Sequence, residues 1–181
     1  AEIYDRNLDD IFSVQTEVAK NIARALRAEM TKDDITRLNK TLTTDPDAYE
    51  LLLKIKSTNL LKKKDVLLTE EVLKKVILLD PESSYAFAKL GGIHSWIYFF
   101  GIDRTKERLK MAKDALDRSL DLDPLSATAH LELGVYYYYG FLDYDNSLKK
   151  YEIAKRLDPN NPDINWRISL ILRRQGKFKE S

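Results

Sequence analysis

The chain has 181 residues, of which 44% are hydrophobic and 33% are charged, and it contains only 6 Gly and 5 Pro. This composition indicates a folded, mostly helical protein and excludes a disordered one. A net charge of +1 provides no overall field to attract nucleic acid or anionic lipid, and the absence of cysteine excludes disulfides and thiolate metal sites.

The ends of the chain and its apolar runs bear on location. The chain begins with "AEIYDRNLDD", which lacks an initiator Met and the pattern of a signal peptide, and it ends abruptly with "GKFKES". We therefore expect a piece of a longer protein. No run of about 18 apolar residues occurs, so we expect no membrane insertion by this piece. The lack of cysteine favours the cytoplasm, although a membrane span upstream in the parent protein would place the piece outside it.

Residues 1–45 are predicted to form a linker with capping helices. In "NLDDIFSVQTEVAKNIARALRAEM" the apolar residues recur at helical spacing, and a second short helix is predicted in "KDDITRLNKTL". The apolar positions of the first helix are Ile11, Val14, Val18, Ile22, Ala25 and Leu26. Such a segment would cover the open end of a stack of repeats.

From residue 46 onwards, an Asp-Pro dipeptide recurs along the chain. Its prolines are Pro46, Pro81, Pro124 and Pro159, which are 35, 43 and 35 residues apart. Proline lacks an N–H and disfavours helical geometry in the preceding residue, so each dipeptide is expected to mark a helix end. Two amphipathic runs lie in each interval, which predicts an all-α repeat of helix pairs.

The residues between these prolines resemble the tetratricopeptide repeat. In the third unit the pattern reads His130, Leu133-Gly134, Tyr137, Ser147, Tyr151 and Pro159, and in the second it reads Phe87, Leu90-Gly91, His94, Ala112, Leu116 and Pro124. The resemblance implies a right-handed α-α superhelix over residues 46–181. It implies three full repeats, approximately 49–83, 84–126 and 127–161, and a partial fourth at 162–181.

The region before the repeats has a resemblance of its own. "IYDRNLDDIFSVQTEVAKNIARAL", followed by "DPDAYELLLK", is similar to the junction that precedes such repeats in bacterial and archaeal signalling proteins. Those proteins carry a nucleotide cyclase, a protein kinase or a winged-helix regulator as the output domain. No output domain of this kind lies within these residues.

Small residues and an insertion determine how the helices are expected to pack. Gly91 and Gly134 should allow the two helices of a pair to approach closely. The longer interval in the second unit is expected to lengthen its first helix, turn at Gly101 and restart at Asp103 or Thr105.

The sequence contains no constellation of residues that indicates catalysis. The two histidines, His94 and His130, are at positions where the repeat holds structural aromatics, and no second metal ligand follows at helical spacing. No phosphate-binding loop is present, and the basic "KKKD" lacks interleaved aromatic residues. We therefore expect no enzyme, no cofactor, no metal and no nucleic-acid partner.

The resemblance implies that the first helix of each pair lines a concave groove that binds a protein or peptide. Four consecutive tyrosines, 136–139, point around most of a helix, and Tyr138 and Tyr139 are expected to be exposed in this groove, with Tyr137 in the core and Tyr136 against a neighbouring helix. The expected peptide-binding residues are Tyr85, Trp96, Leu131, Tyr138, Tyr139, Trp166, Arg173 and Arg174.

The nature of the guest is left open between two alternatives. Leu53, Ala88 and Leu131 stand where a basic clamp for acidic chaperone tails would begin, so a peptide with apolar anchors is favoured, with one acidic contact to Arg173 and Arg174. Self-association is the alternative, because the partial fourth repeat is expected to expose an apolar face. Either way, the piece is expected to serve as a non-enzymatic scaffold that regulates an attached signalling domain.

Overall fold

A computed structural model describes residues 45–56 and 62–176, together with positions 14, 17, 18, 21, 42, 43, 58 and 60. Seven α-helices follow one another there, and no residue of this part is in a strand. The helices are α1 (Pro46–Lys56), α2 (Lys63–Leu79), α3 (Ser84–Phe99), α4 (Lys106–Leu122), α5 (Ala127–Phe141), α6 (Tyr144–Leu157) and α7 (Pro162–Arg174).

The helices form successive pairs that stack on one another. Helix α1 packs against α2, α3 against α4 and α5 against α6, and each pair contacts the next. The first helices of neighbouring pairs also meet, since α3 lies against α5. The all-α class and the repeat of helix pairs are therefore confirmed as a tetratricopeptide-like arrangement. The predicted capping helices at residues 1–45 lie almost entirely outside the described residues.

The Asp-Pro dipeptides lie in the turns between pairs. Helices α2, α4 and α6 end immediately before Asp80, Asp123 and Asp158, whose backbone N–H groups donate to the last turns of those helices. Each following helix then begins with a polar cap: the side chains of Ser83, Ser126 and Asn161 accept hydrogen bonds from backbone N–H groups of α3, α5 and α7. Pro46 differs from the other three, because it is the first residue of α1 and follows the capping carboxylate of Asp45.

The glycines at the two predicted close crossings lie against the second helix of their pair. A Cβ added to Gly91 would lie 2.5 Å from Leu116 Cγ and 2.9 Å from the carbonyl oxygen of Ala112. At Gly134 a Cβ would lie 2.5 Å from Cδ1 of Tyr151. Real Cβ atoms do not make such contacts, so both crossings require glycine.

The insertion of the second unit forms the turn between α3 and α4. Gly101 adopts a φ of +75°, and α4 begins after Thr105, whose hydroxyl accepts from the backbone N–H of Arg108. Of the two predicted restart points, Thr105 is therefore the cap. The carboxylate of Asp103 supports it by accepting from the hydroxyl of Thr105 at 2.8 Å.

The four tyrosines are distributed differently from the prediction. Tyr136 is buried against α4, as expected, but Tyr137 is only half-buried. Tyr138 is 3% exposed and packs with Leu131 and Val135 in the core that α5 shares with α6 and α7. The expected exposure of Tyr138 is therefore wrong. Residues 131, 135 and 138 form one helical stripe, and α6 and α7 cover that stripe.

Candidate functional site

An open cleft of about 520 Å³ runs across the first helices of all four units. Helices α1, α3, α5 and α7 each contribute side chains to it, and α2 adds Thr69 and Leu73. The cleft crosses three junctions between units, so no single helix pair could build it. Its position agrees with the groove that the repeat resemblance implies.

One end of the cleft, near α1 and α2, is apolar. The apolar side chains at this end are Leu42, Leu52, Leu53, Ile55, Leu60 and Leu73, and Tyr49, Thr58 and Thr69 lie beside them. Leu52 and Leu73 belong to the core beneath the cleft, whereas 48% of Leu53 is exposed. The two threonine hydroxyls lie 3.1 Å apart and hydrogen-bond to each other, so this end offers mainly apolar surface to a guest.

Aromatic rings line the middle of the cleft. Tyr85 and Trp96 project from α3 and Tyr139 from α5. The Tyr139 ring stacks on Phe99 at 4.3 Å between ring centroids, and Trp96 stacks on Phe100 at 4.0 Å. Both rings are half-buried, so their positions are fixed while part of each face stays open to the cleft.

A partly buried ion pair lies on the floor of the cleft. Lys89 Nζ of α3 is 2.8 Å from Glu132 Oε1 of α5, and only 8% of the Glu132 side chain is exposed, against 36% of the Lys89 side chain. The Glu132 carboxylate is the main cause of a raised pKa for Lys89. Gly92 makes room for this carboxylate, since a Cβ there would lie 2.6 Å from Cδ of Glu132.

Arg167 of α7 brings a second cation to the same carboxylate. Burial lowers the pKa of Arg167, but the charge of Glu132 and the hydroxyls of Tyr151 and Tyr139 raise it by more. Its guanidinium carbon lies 5.7 Å from the centre of the Trp166 ring. The Nε atom of Arg167 is buried and has no hydrogen-bond partner among the described residues.

Lys89, Glu132 and Arg167 occupy equivalent positions in three successive units. They are 43 and 35 residues apart, the same spacings that separate Pro81, Pro124 and Pro159. The charges therefore alternate in sign along the floor of the cleft. Sequence reasoning missed all three, although each is one residue beyond a position that was assigned to the groove, namely 88, 131 and 166. The repeat register could have revealed them, because a charged residue follows the groove position in each of these three units.

The structure brings some of the predicted groove residues together and separates others from them. Tyr85, Trp96 and Tyr139 line the cleft. Leu131 and Tyr138 lie in the core, with 5% and 3% of their surface exposed. On α7 the predicted Trp166, Arg173 and Arg174 are exposed but are not among the residues that line the cleft.

A separate polar network joins the first two units away from the cleft. Arg108 of α4 donates through Nη1 to Glu70 of α2 and to His94 Nδ1 of α3, each at 2.9 Å, and through Nε to Asp103. His94 is 1% exposed, and burial lowers its pKa to about 4. The neutral imidazole thus acts as a hydrogen-bond acceptor inside the packing, as expected for a structural histidine.

The described residues also bear on two other kinds of site, a metal centre and a membrane span. No cluster of three or more His, Cys, Asp or Glu side chains in this part of the chain could hold a metal ion. None of its helices combines the length and the apolar character that a membrane span needs.

Comparison with known proteins gives one curated relative. No family model matches the chain. Over 144 residues, 75% of this chain, it is 31% identical to a protein of Rhizobium meliloti (strain 1021) named "Putative adenylate cyclase 3". The chain spans only 23% of the length of that relative.

Two solved structures have a similar arrangement of helices. The crystal structure of MamA is 24% identical, and the match covers 84% of this chain and 89% of that one with a TM-score of 0.45. The MamA RS-1 ArsTM double mutant is 20% identical, and the match covers 91% of this chain and 87% of that one with a TM-score of 0.46.

Proposed function

We propose that this chain is a non-enzymatic interaction module that binds a peptide segment of a partner protein in the cleft. The observation that supports this most is the cleft itself, which four successive helices build and which combines an apolar end, aromatic walls and a charged floor. Its volume, about 520 Å³, is in the range of pockets that take a compact ligand or a few side chains.

The lining explains how a peptide would be held. Tyr85, Trp96 and Tyr139 offer large rigid faces whose ordering upon binding costs little side-chain entropy, since neighbouring rings or the Lys89 ammonium already contact them. The apolar end would bury an aliphatic anchor of the guest.

We further propose that the module belongs to a larger signalling protein and regulates an output domain attached to it. The support is the similarity to part of a protein named an adenylate cyclase, together with the junction-like sequence before the repeats. A peptide that occupies the cleft is then expected to change the activity of the attached domain. The measurement is the output activity of the full-length parent with and without that peptide.

The binding proposal can be tested with two aromatic residues, one inside and one outside the cleft. Phage carrying random dodecapeptides are selected on the wild-type chain, and the selected peptides are titrated against Trp96→Ala and Phe141→Ala by fluorescence anisotropy. Trp96 lines the cleft, whereas Phe141 is 56% exposed and does not line it, so at least tenfold weaker binding is expected for Trp96→Ala alone. Thermal melts followed by circular dichroism check that both variants fold. Peptides that bind both variants equally well, or a library that yields no binder, would contradict the proposal.

Self-association is a second candidate, favoured by the exposed face of α7. There 59% of Trp166 is exposed, and Ile168, Leu170 and Leu172 are only half-buried. In this case the wild type would dimerise at micromolar concentration in light scattering, and Trp166→Ser would be monomeric. A wild-type chain that stays monomeric at high concentration rules this candidate out.

A further inference from the structure

The buried and half-buried charges of the cleft are unequal in number, and the exposed Asp163 is set apart from them at the start of α7. Two cations, Lys89 and Arg167, line the cleft together with the carboxylate of Glu132, whose charge acts on both. Lys89 is bound to that carboxylate at 2.8 Å, whereas Arg167 forms no ion pair with any carboxylate of the described residues. The three groups together carry one positive charge in a partly buried position, where a counter-charge is more effective than at an exposed surface.

Arg167 is also incompletely hydrogen-bonded. Its Nε–H is buried without an acceptor among the described residues, and a guanidinium presents its N–H groups in a fixed fork that matches a carboxylate. The ring of Trp166 lies near one side of the guanidinium, and Tyr139 lines the cleft together with Arg167. The group is therefore held in place beside the cleft, with donor capacity that the protein itself does not use.

Glu132 limits how much negative charge a guest can bring. The carboxylate is at the centre of the floor between the two cations, and Asp163, one helical turn before Arg167, adds a second carboxylate to the lining. A guest with several adjacent acidic residues would place like charges beside them. The remaining lining is mostly apolar or aromatic and includes no cation besides Lys89 and Arg167, so it offers no charge to compensate a further buried carboxylate.

We propose that the cleft selects a partner segment that presents a single carboxylate to Arg167 and apolar or aromatic side chains to the rest of the lining. This inference rests on the proposed function and names its guest. It moves the acidic contact expected at Arg173 and Arg174 to Arg167, and it assigns Glu132 the role of excluding polyacidic segments.

The first test compares the peptides that three forms of the chain select from the random dodecapeptide library. Wild-type protein is expected to select apolar peptides with one acidic residue. Arg167→Gln should lose this enrichment in acidic residues, and Glu132→Gln should accept peptides with two or more. Arg173→Gln is the matched control on the same helix and should select as the wild type does.

The second test measures the pairing directly. The best wild-type peptide and its Glu→Gln or Asp→Asn form are titrated against wild type and Arg167→Gln. A charge-assisted contact is expected to make the neutral peptide about tenfold weaker on wild type, whereas the two peptides should bind Arg167→Gln equally. If Arg167 had only a structural role, Arg167→Gln would bind both peptides more weakly than the wild type does, and the ratio of the two peptide affinities would be the same on both proteins.

The outcomes separate this inference from the binding proposal. Peptides that need Trp96 but show no acidic preference would overturn the single-carboxylate inference and leave the binding proposal standing. An acidic preference that Arg173→Gln abolishes and Arg167→Gln keeps would also overturn the inference. If no selected peptide depends on Trp96 for binding, both the single-carboxylate inference and the binding proposal are contradicted.

Discussion

At the scale of single residues, Gly134 shows how closely the sequence determines the packing. Its missing side chain allows Tyr151 of α6 to lie against α5, and the hydroxyl of Ser147 donates to the Gly134 carbonyl oxygen at 2.9 Å. We predict that Gly134→Ala lowers the free energy of unfolding by about 2 kcal/mol, because the added Cβ has no space. Urea denaturation followed by circular dichroism measures this change.

Gly140 is the matched control for this prediction. A Cβ at Gly140 would meet only the flexible end of Leu109, at 3.0 Å from Cδ2. Alanine also favours a helix over glycine by roughly 1 kcal/mol, so Gly140→Ala should be neutral or slightly stabilising. If both substitutions had the same effect, the close crossing at Gly134 would not be the cause.

His94 makes the stability depend on pH. Burial lowers its pKa to about 4, whereas an unfolded histidine titrates near 6.5. As the pH falls from about 6.5 to 4, the unfolded chain binds the proton first, so the stability that is complete above pH 6.5 is progressively lost. The shift corresponds to roughly 3 kcal/mol.

The check is a series of urea denaturations across that pH range. His94→Gln keeps an acceptor near Arg108 but does not titrate, so its stability should fall less than that of the wild type over the same interval. Parallel pH profiles for the two proteins would show that His94 does not cause the loss.

The residue scale is also where sequence reasoning was least accurate. The repeat pattern located the close crossings at Gly91 and Gly134 correctly because their neighbours are fixed by the register of a helix pair. It assigned Tyr138 to the groove, although this residue lies in the core. Successive residues on a helix point about 100° apart, so a small error in the assumed orientation of the helix moves a side chain from the surface into the core. For the same reason it missed Lys89, Glu132 and Arg167, each of which lies one residue beyond an assigned groove position.

At the scale of helices, the Asp-Pro turns could be read from the sequence, and the contact between the first two units could not. Proline and the capping residues act locally, so their positions follow from adjacent residues alone. Arg108, in contrast, bridges Glu70 and His94, which are 38 and 14 residues away in the chain. No local pattern predicts such a contact, because it exists only after the units have stacked.

Removal of this bridge should loosen the junction between the first two units. We predict that Arg108→Met lowers the free energy of unfolding by about 3 kcal/mol, since it removes one of the two cations, Arg108 and Lys74, that pair with the buried carboxylate of Glu70 in the described part of the chain. Lys113→Met on the same helix is the control. It breaks an exposed pair with Asp117 and should cost no more than about 0.5 kcal/mol. Equal losses in chemical denaturation would contradict a special role for Arg108.

At the scale of the whole molecule, each unit depends on its neighbours, as in other stacked repeats. Helix α3 has nine buried residues and packs against the units on both sides of its own. Helix α7 has only two buried residues, Ile164 and Ile171. Units of such a stack open from the least supported position. Because α7 carries Arg167, the proposed carboxylate site lies on a helix with few buried residues.

Hydrogen exchange followed by mass spectrometry tests this relation between stability and binding. Amides of α7 are expected to exchange at least tenfold faster than those of α3, because local opening of α7 exposes fewer buried side chains. A selected peptide that needs Arg167 should slow exchange in α7, since it holds that helix to α3 and α5 across the cleft, and should leave α2 almost unchanged. The same peptide on Arg167→Gln is the control. Without peptide, exchange in α7 as slow as in α3 would contradict the weak support of α7. With peptide, slower exchange confined to α2 would contradict a guest that holds α7 to α3 and α5.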